Sequence, residues 1–388
     1  MLQAYAFIDS PPATDLPLRE ALARELSASL RGARYDYQDT LETVGGWVLE
    51  RRAAVARRWL ERKLTGRQAA ALLSALAEAA ISALLPATVT RLAATHGRIL
   101  TGHFAVLGLG KLGSAEMTAQ SDLDLMFVYQ VPQDVEGSDG TMPLAPSDYY
   151  ARLAQRLIAA LSMPTLSGAL YEVDMRLRPF GESAPIASSL EAVRQYYGRD
   201  AWTWEIMALT RARPIAGDTE LAEPVRAEIR AILTRRRDPE TLRRDVTEMR
   251  ERVAREHARP APWDCKHRRG GQMDIEFVAQ YAQLLHAAEQ PELLTRSTCT
   301  ALKRLRRHGL LDHVTATTLI EALDFWHEVQ NGLRLLAEIE DCDRVGPELF
   351  DAVVERATGI ASAGHREAFT EQLAASVRAC YARVLGAA

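Results

Sequence analysis

Asp122 and Asp124 stand two residues apart in a run, Ser121 to Tyr129 (SDLDLMFVY), that alternates. Asp122, Asp124 and Met126 fall on one side, with Leu123, Leu125 and Phe127 on the other. Residues two apart on a strand share a face, so the two carboxylates are expected to project side by side. Like charges that close repel unless a cation sits between them. A hard divalent ion with oxygen ligands, most simply Mg²⁺, meets that need and keeps positions open for waters and substrate phosphates. A D-x-D alone is commonly a solvated turn or cap; its placement on an apolar strand gives it weight.

The preceding turn offers the other half of a site. Phe104 to Leu109 is a β-rich apolar run ending in Gly108, Gly110 and Gly113, which predicts a strand breaking into a tight turn. Gly113-Ser114 lies eight residues before Asp122. Glycine lets the backbone approach a phosphate, a serine hydroxyl with N–H groups at a helix start can hold phosphate oxygens, and Lys111 adds a point charge. The G-x-x-x-x-G-K-[ST] order of a Walker loop is absent. A second alternating run, Tyr171 to Arg178 (YEVDMRLR), puts Glu172, Asp174, Arg176 and Arg178 on one face. It reads either as a half-buried antiparallel strand with a wet face, or as a third carboxylate, Asp174, beside guanidiniums suited to a phosphate chain.

The elements that must position these residues are mostly helical. Residues 15–100 read as helices, with one around Trp47, Val55, Trp59 and Leu60. Another is expected around Leu72, Leu73, Leu76, Ala80 and Leu84, ended or kinked at Pro86. Residues 132–146, rich in Pro, Gly, Asp and Ser, predict a loop, and Ser147 opens an amphipathic helix to about Leu161. Ser188 and Glu191 have capping-box spacing, and Trp202 and Trp204 read as core anchors. The character changes near Ala216-Gly217-Asp218. This divides the chain into residues 1–218, with a core at about 100–218 behind a helical extension, and a helical bundle over 219–388. In the bundle, Met273, Phe277, Tyr281 and Leu285 recur every four residues, so Asp274 and Glu276 diverge around a helix and form no second metal pair. His257, Cys265 and His267 read as structural.

Bulk properties exclude several classes. A net charge of −4 argues against a nucleic-acid binder. Cys265, Cys299, Cys342 and Cys380 are widely spaced with no C-x-x-C, which fits a reducing, cytoplasmic setting. The opening MLQAYAFIDSPPATDLP lacks the basic segment of a signal peptide, and no run of about 18 apolar residues suggests a membrane span.

Strand, Gly-Ser turn, helix and D-x-D strand together resemble the nucleotidyltransferase superfamily typified by DNA polymerase beta. Four blocks, GKLGS–SDLDL, YEVDMRLRPFGES, AWTWEIMALTRAR and RGGQMDIEFVAQY, are similar to the glutamine synthetase adenylyltransferase family of bifunctional adenylyl transferases/removases. The resemblance implies an α+β fold: a polymerase-beta-like mixed sheet with flanking helices, followed by an all-α bundle. It implies that Asp122, Asp124 and Asp174 bind two Mg²⁺ ions, and that Lys111, Gly113, Ser114, Ser121, Arg176 and Arg178 hold the ATP phosphates. AMP would pass to a tyrosine of glutamine synthetase, whose phenol must lose a proton to the metal or to Asp174, and a PII signalling protein is a further partner. The family carries two such halves in one chain. One is present here, more similar in AWTWE and MDIEF to the C-terminal, adenylylating half. Two rivals remain: phosphorolytic removal of AMP at the same site, and a non-catalytic docking half, against which three intact carboxylates speak.

Overall fold

The computed structural model describes residues 15–30, 36–165, 168–181, 184–258, 261, 263–339 and 346–386. The first fourteen residues, Glu182-Ser183 and Cys342, on which expectations above fall, lie outside them.

Three helices lead the described chain: α1 (Asp15–Ser29), α2 (Tyr37–Leu60) and α3 (Gly66–His96). α2 starts at a capping box: the Asp36 carboxylate accepts the Asp39 N–H (2.8 Å), and Asp39 accepts the Asp36 N–H in return (3.3 Å). Trp47, Val55 and Trp59 of α2 are buried, while Leu60 at its end is exposed. α3 continues through Pro86, so the proline does not end the helix. Proline removes one backbone bond and crowds the preceding turn, but Leu84 and Leu85 before it and Thr88 and Leu92 after it are all buried, so packing holds both sides. By length and composition α3 is also apolar enough to cross a membrane, against the expectation that no such stretch exists. Its most apolar window is 78% buried inside the molecule, and it packs on α1 and α2.

The sheet follows. β1 (His103–Gly108) leads into a single-turn helix α4 (Gly110–Ser114), and β2 (Leu123–Gln130) returns antiparallel to it, from His103 opposite Gln130 to Gly108 opposite Leu125. Both strands are buried along nearly their whole length, which is why they read as apolar runs. α5 (Pro146–Ser162) covers α3 and stacks Tyr150 on Phe104 and Tyr129. A small antiparallel pair, β3 (Pro164–Thr165) and β4 (Gly168–Ala169), precedes β5 (Val173–Asp174) and β6 (Ala187–Ser189), which both pair parallel with β2. Helices α6 (Leu190–Arg199) and α7 (Thr203–Leu209) lead to β7 (Arg213–Gly217), antiparallel to β1 on the other side. The main sheet therefore runs β5–β2–β1–β7, with β6 also on β2. Ser189, not Ser188, caps α6, accepting the Ala192 N–H at 3.1 Å, because β6 runs through Ser188 and the helix begins only at Leu190.

After Gly217 the regular structure among the described residues is helical: α8 (Thr219–Leu233), α9 (Pro239–Glu256), α10 (Gln272–His286), a 3₁₀ turn at Pro291–Leu293, α11 (Thr298–Arg307), α12 (His313–Ile339), α13 (Pro347–Thr358) and α14 (Ala363–Leu385). α12 packs on α2 and α3, and the Trp59 indole donates to Glu328 at 2.8 Å.

One buried ion pair ties α3 beneath the glycine turn. Arg213 on β7 is bidentate to Glu78 on α3 and donates to the Gly113 carbonyl (2.8 Å) and the Leu112 carbonyl (3.1 Å). Arg213 and Glu78 are almost inaccessible, and Glu78 is also bridged by Arg19. Breaking a buried pair from one side costs about 3–5 kcal/mol when the remaining charge is left alone, and less here because Arg19 stays on Glu78. Arg213→Met should therefore lower the thermal unfolding midpoint clearly, and an unchanged midpoint would show that the turn is held by other means.

Candidate active site: carboxylates on paired strands

The parallel pairing of β2 with β5 sets Leu123 opposite Val173 and Asp124 opposite Asp174, with the Leu123 N–H donating to the Glu172 carbonyl at 2.8 Å. Side chains at matched positions of neighbouring strands share a face, so the second and third aspartates come together. Asp122 lies just before β2, is exposed, and acts electrostatically on Asp124.

The second run differs from its expected form. Of Tyr171 to Arg178 only Val173 and Asp174 are strand, and the pairing is parallel, not antiparallel. Beyond Asp174 the chain turns, with the Arg178 N–H on the Met175 carbonyl at 3.2 Å. Arg176 folds back on Asp174: its backbone N–H and its Nε each donate to the carboxylate at 2.8 Å. This local ion pair competes with strand extension. The Arg178 guanidinium donates to the Met175 carbonyl at 3.0 Å. An open cleft of about 550 Å³ is lined by Asp122, Glu172, Val173, Asp174, Met175, Arg176 and Arg178. A larger cavity of about 690 Å³, among Trp263, Arg268, Phe350 and Arg366, contains none of the expected site residues.

The carboxylates differ in proton affinity. Burial pushes Asp124 up to about 6, helped by Asp174 and Asp122 and opposed by Lys266 and Arg176. Burial also works to raise Asp174, but the hydrogen bonds and charge of Arg176 outweigh it and hold Asp174 below the usual carboxylate range.

The turn residues have more varied places. Gly110 adopts φ +49°, and a Cβ there would lie 2.0 Å from Asp124 Oδ2, so glycine both makes the turn and leaves room for the carboxylate. A Cβ on Gly113 would lie 2.1 Å from the Arg211 carbonyl, so this glycine serves close packing of the turn on the segment before β7. Ser114 sits at the end of α4, not its start, and its hydroxyl lies 3.2 Å from the Gly110 carbonyl and 3.0 Å from Glu116. The Ser121 hydroxyl ties a turn, accepting the Thr118 N–H at 2.9 Å. The Lys111 ammonium donates to Gln330 of α12. Burial and the neighbouring cations Lys266, Arg334 and Arg211 pull Lys111 down to about 8, against the pull of Glu276.

Several groups here escaped sequence reasoning. Arg211 is buried, bridges Glu276 of α10 at 3.0 Å, and acts on Asp124. Asp274 turns the other way and pairs with the fully buried Arg250, so the two carboxylates of MDIEF diverge as a helix requires. Trp202 and Trp204 are not core anchors: Trp202 is 70% exposed and Trp204 36%. Their helix α7 is fastened instead through Glu205, which accepts the Tyr196 hydroxyl and the Trp202 N–H.

The donor set suits a hard divalent cation: oxygen-only, two carboxylates in register, a third adjacent, and one whose proton affinity is raised by burial first and by its carboxylate neighbours second. A consequence can be measured on the metal-free chain. Asp124 binds its proton more tightly folded than unfolded, so its contribution to stability is present at low pH and is lost as pH rises from about 4 to about 6, by at most ~3 kcal/mol. Asp124→Asn should flatten that part of the curve and be the more stable protein at pH 7; superimposable pH–stability profiles would refute the charge conflict.

With this geometry in view, comparison with known proteins is specific. A family model described as glutamate-ammonia ligase adenylyltransferase matches residues 14–228, and one described as GlnD PII-uridylyltransferase matches residues 240–385. A bifunctional glutamine synthetase adenylyltransferase/adenylyl-removing enzyme of Bradyrhizobium diazoefficiens is 39% identical over 88% of this chain and 34% of its own length. Its counterpart in Rhizobium meliloti is 39% identical over 96% of this chain and 38% of its own length. That of Brucella suis is 45% identical over 70% and 28%. The chain thus spans about a third of the length of these relatives. The first of the two models covers more than half of the chain, which therefore belongs to the glutamate-ammonia ligase adenylyltransferase family.

Proposed function

We propose that the chain moves AMP from ATP to a tyrosine hydroxyl of glutamine synthetase, at the cleft beside Asp122, Asp124 and Asp174. The observation that carries this reading is the in-register placement of Asp124 against Asp174, with Asp122 alongside. Glutamine synthetase as acceptor follows from the names of the relatives.

Asp122, Asp124 and Asp174 would hold Mg²⁺, two ions on this reading. Bound there, the ions neutralise phosphate charge and make the acceptor hydroxyl and the pyrophosphate leaving group more acidic. The protein's own part is to keep three oxygens convergent. Asp174, held ionised by Arg176, is a weak proton acceptor and a good permanent anion. Asp124, pushed up to about 6 by burial and by its carboxylate neighbours, is the group a bound cation would relieve most. Lys111, Arg176, Arg178 and the backbone at Gly113 would orient the triphosphate. Ser114 and Ser121, whose hydroxyls already serve the turn, would act through its shape. The acceptor oxygen attacks the α-phosphorus, the bond from that phosphorus to the oxygen bridging the β-phosphate breaks, and pyrophosphate leaves. The phenol, with an ordinary pKa of about 10, passes its proton to solvent water in the open cleft or to the departing pyrophosphate. A PII signalling protein as effector and a cytoplasmic setting belong to the same proposal.

Two measurements test it. Gly110→Ala pushes a methyl onto Asp124 and should cost at least about a hundredfold in AMP incorporation, as should Asp122→Asn and Asp124→Asn. Near-normal turnover in any of the three would remove the carboxylates from the chemistry. Direction is decided by offering unmodified glutamine synthetase with ATP in one tube, and adenylylated glutamine synthetase with phosphate in another. AMP incorporation in the first and little ADP in the second is expected. Rapid ADP release without incorporation would assign the chain to removal.

A further inference from the structure

The chain leaves the cleft through a turn that carries a phenylalanine where a glycine is expected. Arg178 lines the cleft, and its carbonyl accepts the Gly181 N–H at 3.3 Å, closing the turn Arg178-Pro179-Phe180-Gly181. Proline suits the second position of such a turn, and a third residue with positive φ is ordinarily glycine. Here the third residue is Phe180, at φ +64°. A bulky side chain in the left-handed region is strained, and strain of this kind clusters where function needs a particular group in a particular place. The ring that the turn carries is 48% exposed.

Phe180 has one aromatic partner. Its ring packs on Tyr196 of α6, with centroids 4.5 Å apart and planes tilted by 54°. Tyr196 is buried and donates its hydroxyl to the buried Glu205 of α7 at 2.7 Å. The same carboxylate accepts the Trp202 N–H at 2.8 Å. Next along, the Thr203 hydroxyl donates to Asp245 of α9 at 2.5 Å, so the start of α7 is tied down on both sides. The Tyr196–Glu205 pair therefore anchors Phe180 and the Trp202 backbone to one buried point, from which two large aromatics reach solvent. Neither of them lines the cleft. A site for a base or other small ligand is concave and covers most of what it holds, whereas these rings stand outside the concavity. Rigidly held, exposed aromatics are the side chains in which the centres of protein–protein interfaces are enriched.

We infer that Phe180 and Trp202 form a docking platform for the acceptor protein, seating the surface that surrounds the hydroxyl to be modified. This rests on the nucleotidyl-transfer reading and adds to it the place where the acceptor is gripped. The platform begins two residues beyond Arg178, so a protein seated on it lies next to the mouth of the cleft and can present one side chain into it. The nucleotide is left to the cleft itself, and the strained turn at Phe180 sets the distance between the two sites.

The test is equilibrium binding by the full chain of unmodified glutamine synthetase and, with Mg²⁺ present, of a non-hydrolysable ATP analogue. Trp202→Ala and Phe180→Gly should each weaken glutamine synthetase at least about tenfold and leave the ATP analogue within about twofold. Trp202→Phe should recover most of the loss. The thermal midpoint of Trp202→Ala should match that of the wild type, because the indole is largely exposed; Phe180→Gly removes the same ring contact in a residue that accepts the turn. Weakening of the ATP analogue in step with the protein would make the rings a base-stacking site, and unchanged affinity for both ligands would leave them no binding role; either overturns the platform and leaves the transfer reading standing. Binding of glutamine synthetase by the wild type with no AMP incorporation from ATP would bring down the transfer reading alone, and no binding of it at all would overturn the platform.

Discussion

The pairing of Asp124 with Asp174 across two parallel strands is unfavourable taken alone, and much of the surrounding structure exists to hold it. Two carboxylates side by side in a partly buried place repel, which is why burial and Asp174 drive Asp124 up to about 6. Arg176 offsets part of this from the cleft side, and the charge of Lys266 offsets a further part. The remainder is borne by the scaffold. β2 is buried from Leu125 to Tyr129 and hydrogen-bonded on both edges, and its backbone cannot swing the aspartates apart. The glycine turn cannot recede either, because Arg213 grips its carbonyls from below while pairing with Glu78 of α3.

The same device recurs through the molecule. Arg250 with Asp274, Arg211 with Glu276 and Arg366 with Asp351 each join separate segments through a guanidinium that is itself buried. Ion pairs of this kind add little net stability against apolar alternatives, but a broken one is costly, so they set which segments meet. α10 shows the consequence most directly. Asp274 and Glu276, two residues apart on a helix, face different arginines, one locking the helix into the bundle and one joining it to the segment before β7.

Much of this was legible in the sequence where the signal is local and periodic. Strands buried on both faces appear as unbroken apolar runs, as at Phe104–Leu109, and an amphipathic helix shows its stripe, as in α5. What misled was context. Pro86 reads as a stop or a kink, yet apolar packing on both sides carries α3 past it. The alternation of YEVDMRLR predicts a long strand, yet Arg176 finds its own aspartate two residues back and the chain turns. Trp202 and Trp204 look like core residues by type but stand largely outside it, because Tyr196 and Glu205 already fasten their helix. Residues distant in sequence gave no signal at all. Nothing in the letters around Lys266 or Arg211 says that they act on Asp124, and only the folded chain, with Glu276 of α10 bridged to Arg211, reveals it.

That last group changes how the two halves of the chain relate. On α12, Gln330 accepts from Lys111 and Arg334 donates to Gln120 at 2.8 Å, one helical turn apart on one face and both on the segment between β1 and β2. Lys266, in the loop before α10, and Glu276 of α10 act on Lys111 through their charges. The helical half is thus part of the wall around the glycine turn, where it adds to the effect of burial on the proton affinity of Lys111 and holds the turn through Gln330 and Arg334. Displacing α10 or α12 by even one hydrogen bond would alter both. If polyphosphate binds at Lys111, it meets a side chain that Gln330 of the helical half holds, so ligand binding and the seating of the helices against the sheet are one equilibrium. A partner that grips the helices would then act on the turn through Gln330 and Arg334, without touching the carboxylates at all.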